Sequence, residues 1–373
     1  MDGALSKSVK TKTINLALQG GGSHGAFTWG VLDALLEDGR LEFDGVSGTS
    51  AGAMNAVAMA AGMAQGGRDG ARQKLREFWI AVGEKGRFSP IRRNPLDVFF
   101  GKYSFQYSPS YWAADLFSRV FSPYDTNPLD INPLRDVVES VIDFDDVSNC
   151  KSFKTFVSAT NVWTGKVRVF SGDDLTADAV MASACLPTMY KAVEIEGVPY
   201  WDGGFGGNPA LYPFFYSTDT EDTLLVQINP VERRHTPKSA QEIQDRMNEI
   251  TFNAGLLREF RAIEFVRRLK REGRLDGTTY SSIRMHRVCA DEALADLSAA
   301  TKLNAEWRFL ENLHDLGYAA GQDFLDEHFD AIGERPTLDL SEELEQRVFP
   351  IDKKKTVGRR LSERLHKIKP KLD

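Results

Sequence analysis

Three short stretches carry residues suited to acyl transfer. Ser50 stands in Gly48-Thr49-Ser50-Ala51-Gly52, a G-x-S-x-G pentapeptide. In that pattern a strand turns sharply into a helix and lifts the serine hydroxyl to the helix N-terminus, with glycines where any side chain would meet crowded backbone. Gly20-Gly21-Gly22-Ser23-His24-Gly25 sets a run of backbone N–H groups at a helix start, where peptide dipoles favour negative charge. Asp202 closes a strand and precedes Gly203-Gly204, a pair that lets another backbone come near. Ester hydrolysis by serine needs a nucleophile, a base within reach, and donors aimed at the oxyanion that forms. Ser50, Asp202 and the loop Gly20 to Gly25 are the candidates for these three roles.

An aspartate base is weak at neutral pH, its ordinary pKa being about 3.9, and burial is what raises it. The apolar flank Val198-Pro199-Tyr200-Trp201 therefore predicts an enclosed Asp202.

The elements that must position these groups follow from periodicity. Thr13 to Leu18 alternates as a strand, the glycine loop follows, and Ala26 to Glu37 has helical spacing with Val31, Leu32, Leu35 and Leu36 apolar. Leu41 to Val46 leads straight into the elbow. Ala51 to Ala64, nearly all small and apolar, predicts a tightly packed helix, and Arg68 to Val82 an amphipathic one. Further on, Pro133 to Ile142 reads as a helix and Thr155 to Val162 as a strand paired with Val167 to Phe170. Leu175 to Ala184 is helical, and Val193 to Tyr200 is a hairpin that delivers Asp202. Thr223 to Ile228 is a buried strand. From Ser239 the pattern is helical, with Ile243, Met247, Ile250, Ala254 and Leu257 in steps of four and three, up to a basic end at Arg267 to Arg271 that suits the helix dipole. Ile283 to Val288 is one more strand, with helices over Leu303 to Leu316 and Phe324 to Phe329.

Between 95 and 128, ten aromatic residues from Phe99 to Tyr124 crowd together, unlike a regular core strand. This reads either as an irregular aromatic cap on the core or as a cover that admits acyl chains. The division expected is a flexible 1–12, a catalytic domain 13–230 with the cap at 95–128, a mainly helical extension 231–340 and a basic tail 341–373.

With 373 residues and a net charge of −7, the chain has ample core and is a poor general partner for nucleic acid. Residues 353–373 hold nine Lys/Arg against two acids, so the body before them is more acidic still. Val357, Leu361, Leu365 and Ile368 recur among those basic residues as in an amphipathic helix suited to an anionic membrane surface, although a solvated tail fits equally. Three scattered cysteines suggest a reducing cytoplasm rather than disulfides or a zinc site. Met1 to Lys12 has no signal-peptide core, and Ala51 to Ala64 falls short of the roughly 20 residues of a membrane helix. No metal or cofactor is expected, and the oligomeric state is open.

The glycine loop, the elbow, the block Ala182-Ser183-Ala184-Cys185-Leu186-Pro187 and Asp202-Gly203-Gly204 resemble, in order, the motifs of patatin-like phospholipases. The resemblance covers about residues 14 to 230. It implies a three-layer α/β fold, with a central mostly parallel sheet between helices and here a helical C-terminal extension. It also implies cleavage of lipid acyl esters by a Ser/Asp dyad without histidine: Ser50 as nucleophile, Asp202 as base, and the amides of Gly21, Gly22 and their neighbours as oxyanion donors. The family commonly has Arg or Lys where this chain has His24.

Three other readings compete. Gly20-x-Gly22-x-x-Gly25 with Asp44 about 20 residues on fits a dinucleotide site, though such a site needs neither the elbow nor the Asp-Gly-Gly. A Ser/His/Asp hydrolase would draw on His286, the best placed of six histidines. The basic tail would serve a non-catalytic membrane-surface module. Among substrates, intracellular polyesters of hydroxy acids stand beside phospholipids and lysophospholipids.

Overall fold

The computed structural model describes residues 11–87, 120–233, 236–276, 280–289, 297 and 299–345. Most of the aromatic segment 95–128 and the whole of the basic stretch 353–373 lie outside the described residues.

In chain order the first half runs β1 (Lys12–Leu18), α1 (Gly25–Asp38), β2 (Leu41–Gly48), α2 (Ala51–Gly86), α3 (Pro123–Thr126), α4 (Pro133–Val141), α5 (Phe144–Asn149), β3 (Lys154–Asn161) and β4 (Val167–Phe170). The second half runs α6 (Ala177–Ser183), β5 (Val193–Ile195), β6 (Val198–Asp202), α7 (Tyr212–Ser217), β7 (Asp222–Gln227), α8 (Ala240–Arg271), β8 (Arg284–Cys289), α9 (Trp307–His328) and α10 (Leu340–Leu344). The strands form one sheet in the order β5-β6-β3-β2-β1-β7-β8, with β4 also on β3. β1, β2, β3, β7 and β8 are parallel, whereas β4, β5 and β6 pair antiparallel.

Successive strand residues point to opposite faces, and the apolar residues sort accordingly. Leu16, Leu18, Leu224 and Val226 enter the core shared with α1, α2 and α9; Ala17, Leu225 and Met285 enter a second core with Leu256, Phe260 and Ile263 of α8. Helices thus cover both faces, the three-layer α/β arrangement with a mostly parallel sheet. Each fully buried Leu or Val stabilises this register by about 1.5–3 kcal/mol, and a one-residue slip would exchange the two faces.

Two helices differ from expectation. Separate helices at 303–316 and 324–329 were expected, but α9 runs unbroken through Gly317 and Gly321. Those glycines lie against α1: a Cβ on Gly317 would collide with the Phe27 carbonyl, and one on Gly30 with that of His314. Close helix contact, with Phe309, Leu310, Leu313, Phe324 and Leu325 buried, outweighs the roughly 1 kcal/mol that each glycine costs a helix. In α8 the stripe read from the sequence faces outward at its start, Ile243, Met247 and Ile250 being 44%, 57% and 54% exposed, and Leu256, Phe260 and Ile263 are the buried side. The break expected near residue 65 is present, since α2 leaves helical geometry at Gly66 and Gly67. After residue 230 the chain adds β8 to the same sheet and α9 to the main core.

Candidate active site

Ser50 is the hinge between β2 and α2. Its φ of 54° and ψ of −120° put a non-glycine residue in sparsely allowed backbone, a strain of the kind that holds a nucleophile proud of a sheet. The flanking glycines make the bend feasible: a Cβ on Gly48 would collide with the Gly52 carbonyl, and one on Gly52 with the Leu18 carbonyl. Thr49 fastens the turn, its N–H donating to Leu18 O at 3.3 Å and its hydroxyl to Gly207 O at 2.9 Å.

Asp202 arrives from β6. Gly48, the last residue of β2, pairs with Val157 on β3, and Asp202 pairs with Ala159, so the carboxylate enters just beyond the end of β2. It is 1% exposed. Its Oδ1 accepts the Gly204 N–H at 2.7 Å, and its own N–H donates to Cys185 O at 2.8 Å. Burial pushes its pKa up to about 7, against the lowering effects of the Gly204 N–H, a hydrogen bond from Ser50 and the charge of Lys302. The block 182–187 ties the two residues together, because the Ser183 hydroxyl accepts the Ser50 N–H at 2.8 Å while Cys185 holds Asp202.

The glycine loop closes the third side. A Cβ on Gly20 would stand 2.7 Å from that of Ser50. Gly20 N–H donates to Asn208 Oδ1 at 2.7 Å, His24 N–H to Gly21 O, and Gly25 N–H to Gly22 O and Ser23 O. The amides of Gly21 and Gly22 have no protein acceptor among the described residues. The Ser23 side chain is buried. His24 turns away to Thr301, Nε2 to Oγ1 at 2.7 Å, and burial together with Lys302 and Arg233 pulls its pKa down to about 3, leaving a neutral ring. Ser50, Asp202 and the loop are therefore in one place.

Several supports had no signature in the sequence reading. Gln19 Oε1 accepts the N–H groups of Ile228 and Asn229 at 3.0 and 2.9 Å, and its Nε2 donates to Asn208 O. Asn229 Nδ2 in turn donates to Gly20 O at 2.6 Å. The available signal was modest: Gln19, Asn208 and Asn229 are polar residues at the ends of apolar runs, fully buried in the fold.

The competing sites are not assembled. Asp44 accepts the amides of Asp219 and Thr220 at 2.6 and 3.0 Å, four residues short of the end of β2 at which the glycine loop lies. His286 is fully buried, with Nε2 2.9 Å from Asp222 and Nδ1 3.0 Å from Thr337. Asp222 is the first residue of β7, at the sheet end away from Ser50.

A serine on a strand-to-helix elbow, beside an enclosed carboxylate and a glycine loop on a three-layer sheet, is an arrangement whose chemistry suits nucleophilic acyl transfer. The sequence profile of the patatin-like phospholipase family matches residues 16–215, more than half of the chain, and the protein belongs to that family of lipid hydrolases. No curated protein matches the sequence. Among solved structures, VipD from Legionella pneumophila is similar at 14% identity over 82% of this chain and 67% of that one, with a TM-score of 0.36. ExoU of the Pseudomonas aeruginosa type III secretion system, solved with SpcU, is similar at 15% identity over 82% of this chain and 52% of that one, TM-score 0.29. A second ExoU–SpcU structure gives 17% over 87% and 62%, TM-score 0.29. The chain spans about half to two thirds of the length of these proteins. Among the described residues no helix is long and apolar enough to cross a membrane.

Proposed function

We propose that the protein is a serine acyl-ester hydrolase of phospholipase A or lysophospholipase type, working through a Ser50/Asp202 dyad. Ser50 Oγ attacks the ester carbonyl carbon, its proton passes to Asp202, and the carbonyl electron pair moves onto oxygen, toward the amides of Gly21 and Gly22. Collapse expels the alcohol, which takes the proton from the protonated Asp202 carboxyl, and leaves an acyl-enzyme. Water, giving its proton to Asp202, then attacks the acyl carbon, and the bond to Ser50 Oγ breaks as that proton passes from Asp202 to Oγ, releasing the acid and restoring both residues.

One observation carries this reading: Asp202 is enclosed, close enough to Ser50 for the serine to act on its titration, and lifted by burial to a pKa of about 7, where a carboxylate can take a proton at neutral pH. His24, turned to Thr301 and weakened as a base by burial, and His286, bonded to Asp222 and Thr337 toward the far end of the sheet, are not placed to take the Ser50 proton. The test is turnover of phospholipids, short aryl esters and hydroxy-acid polyester oligomers, with fluorophosphonate labelling. Ser50→Ala is expected to abolish both labelling and turnover. Turnover that survives Ser50→Ala would refute the dyad.

A further inference from the structure

On the reading just given, we infer that Lys302, from the 3-10 turn after β8, is a positioning residue of the oxyanion site, fixing the glycine loop through Asn229 and setting a positive charge beside it. Lys302 lies outside the residues 16–215 matched by the family profile.

The turn Ala299–Leu303 packs directly on the turn Gly22–His24. It is held there by two contacts from neighbouring residues. Thr301 takes His24 through the 2.7 Å hydrogen bond, and the Lys302 backbone sits so close over Gly22 that a Cβ there would collide with the Lys302 carbonyl. Gly22 also has φ of +59°, a conformation other residues rarely adopt, so this contact is built on a glycine for two reasons.

From that backbone the side chain reaches Asn229, Nζ to Oδ1 at 2.7 Å, and Asn229 holds Gly20 O by its other side-chain atom. Lys302 thereby meets the Gly20-Gly21-Gly22 run at both ends, Gly22 by its backbone and Gly20 through Asn229. Among the described residues no carboxylate lies within ion-pair distance of it. The residue is half-buried and its ammonium is held by Asn229; burial lowers its pKa, with Glu249, Asp245 and Asp202 acting to raise it and Arg233 to lower it. Its charge is in turn felt at Asp202 and at His24.

Charge movement makes this placement useful. In the attack step negative charge leaves Asp202 and appears on the carbonyl oxygen, facing Gly21 and Gly22. A cation anchored on the loop side is favoured by that transfer. Two backbone amides supply hydrogen bonds but no net charge, and His24, uncharged and turned to Thr301, cannot supply one.

Lys302→Gln keeps an amide able to bond Asn229 but removes the charge, and Lys302→Arg keeps the charge. The titratable and charged groups that act on Lys302, Asp202 or His24 are Cys185 behind Asp202, Arg233, Asp245 and Glu249. Lys302→Gln is expected to lower kcat by about 10²-fold, the scale of one lost oxyanion interaction, with KM changed less than threefold. The acid limb of kcat/KM is expected to move to higher pH, because Asp202 loses the cation that favours its ionised form. Lys302→Arg is expected to recover at least tenfold of kcat and return the limb. A kcat within threefold of wild type in Lys302→Gln, or a fall with an unmoved limb and no recovery in Lys302→Arg, would overturn the inference while leaving Ser50-dependent turnover intact. Should Lys302→Gln not fold, Lys302→Arg decides alone: a slowed enzyme with its acid limb displaced upward overturns it, and a limb at the wild-type midpoint supports it. A wild-type protein without Ser50-dependent turnover or labelling would instead remove the reading on which it rests.

Discussion

Replacing Asp202 by Asn should make the protein more stable and inactive at once, with the stability gain following pH. The carboxyl rises from its ordinary 3.8 to about 7 because it is buried. That is a shift of about 3 units, each worth about 1.4 kcal/mol, so carrying the ionised group in the folded state costs about 4 kcal/mol above pH 7. The sign follows from proton binding. The folded state holds this proton more tightly than the unfolded one, so the group's contribution to stability is full below about pH 3.8, declines as pH rises, and levels off above about 7. Asparagine keeps an oxygen for the Gly204 N–H, bonded at 2.7 Å in the wild type, and has no charge to bury. Urea unfolding of the two proteins should therefore coincide near pH 4, separate by about 2 kcal/mol at pH 5.5 and by about 4 kcal/mol at pH 8. Turnover should fall by about 10²–10⁴, the usual contribution of a positioned base. A stability difference that stays flat from pH 5 to 8 would refute the enclosed, raised carboxylate and with it the argument for Asp202 as base.

His24 should act in the opposite direction over much of the same range. Its pKa falls from 6.5 to about 3, so its contribution is present above about pH 6.5 and is lost as pH falls toward 3, by up to about 1.4 kcal/mol per unit. His24→Gln should remove that slope, and a wild-type-minus-variant stability that does not decline between pH 6.5 and 4.5 would contradict it. Asp202 and His24 oppose each other there, while Glu259, pushed up to about 7 by burial, adds to the Asp202 slope, so the variants rather than the wild-type curve separate them. Gly52→Ala forces a methyl onto the Leu18 carbonyl, with Gln19 O 2.8 Å away; a loss of about 3 kcal/mol in urea and of fluorophosphonate labelling is expected, and normal labelling would refute the close packing of the elbow. His286→Ala strips a partner from Asp222, whose side chain is 2% exposed, and should cost about 3 kcal/mol while kcat of the folded enzyme stays within twofold. Abolished turnover in a folded His286→Ala protein would revive a Ser/His/Asp mechanism.

What was legible in the sequence is what the backbone demands at a single position. The elbow needs small residues at Gly48 and Gly52 because carbonyl oxygens lie where a Cβ would go, and that demand is written in five consecutive letters. Asp202 was findable for the same reason, since Gly203 abuts the Ser158 carbonyl. Alternation gave the strands, and the apolar flank of β6 gave the enclosure of its last residue. The supports were illegible because nothing local requires them. Ser183 stood in a block singled out only by the family resemblance, and its bond to the Ser50 N–H arises because α6 ends beside the elbow; Asn208 and Asn229 matter only because two remote turns come to rest against Gly20.

The same distinction bears on the boundary expected near residue 230. A composition shift toward helix there suggested an appendage, yet β8 extends the sheet beyond β7, and α9 packs against α1 closely enough to need glycine on both sides. Asn253 Oδ1 on α8 accepts from Gln19, and Thr301 and Lys302 hold the glycine loop from the other side. A chain ending near 230 would leave the Leu224 and Val226 side of the sheet without Phe309, Leu313 and Phe324, and the His24 ring without its hydrogen-bond partner. Ser50 and Asp202, the proposed nucleophile and base, lie in the first part, but the glycine loop beside them is positioned by both, so the unit that would perform the proposed reaction extends through α9.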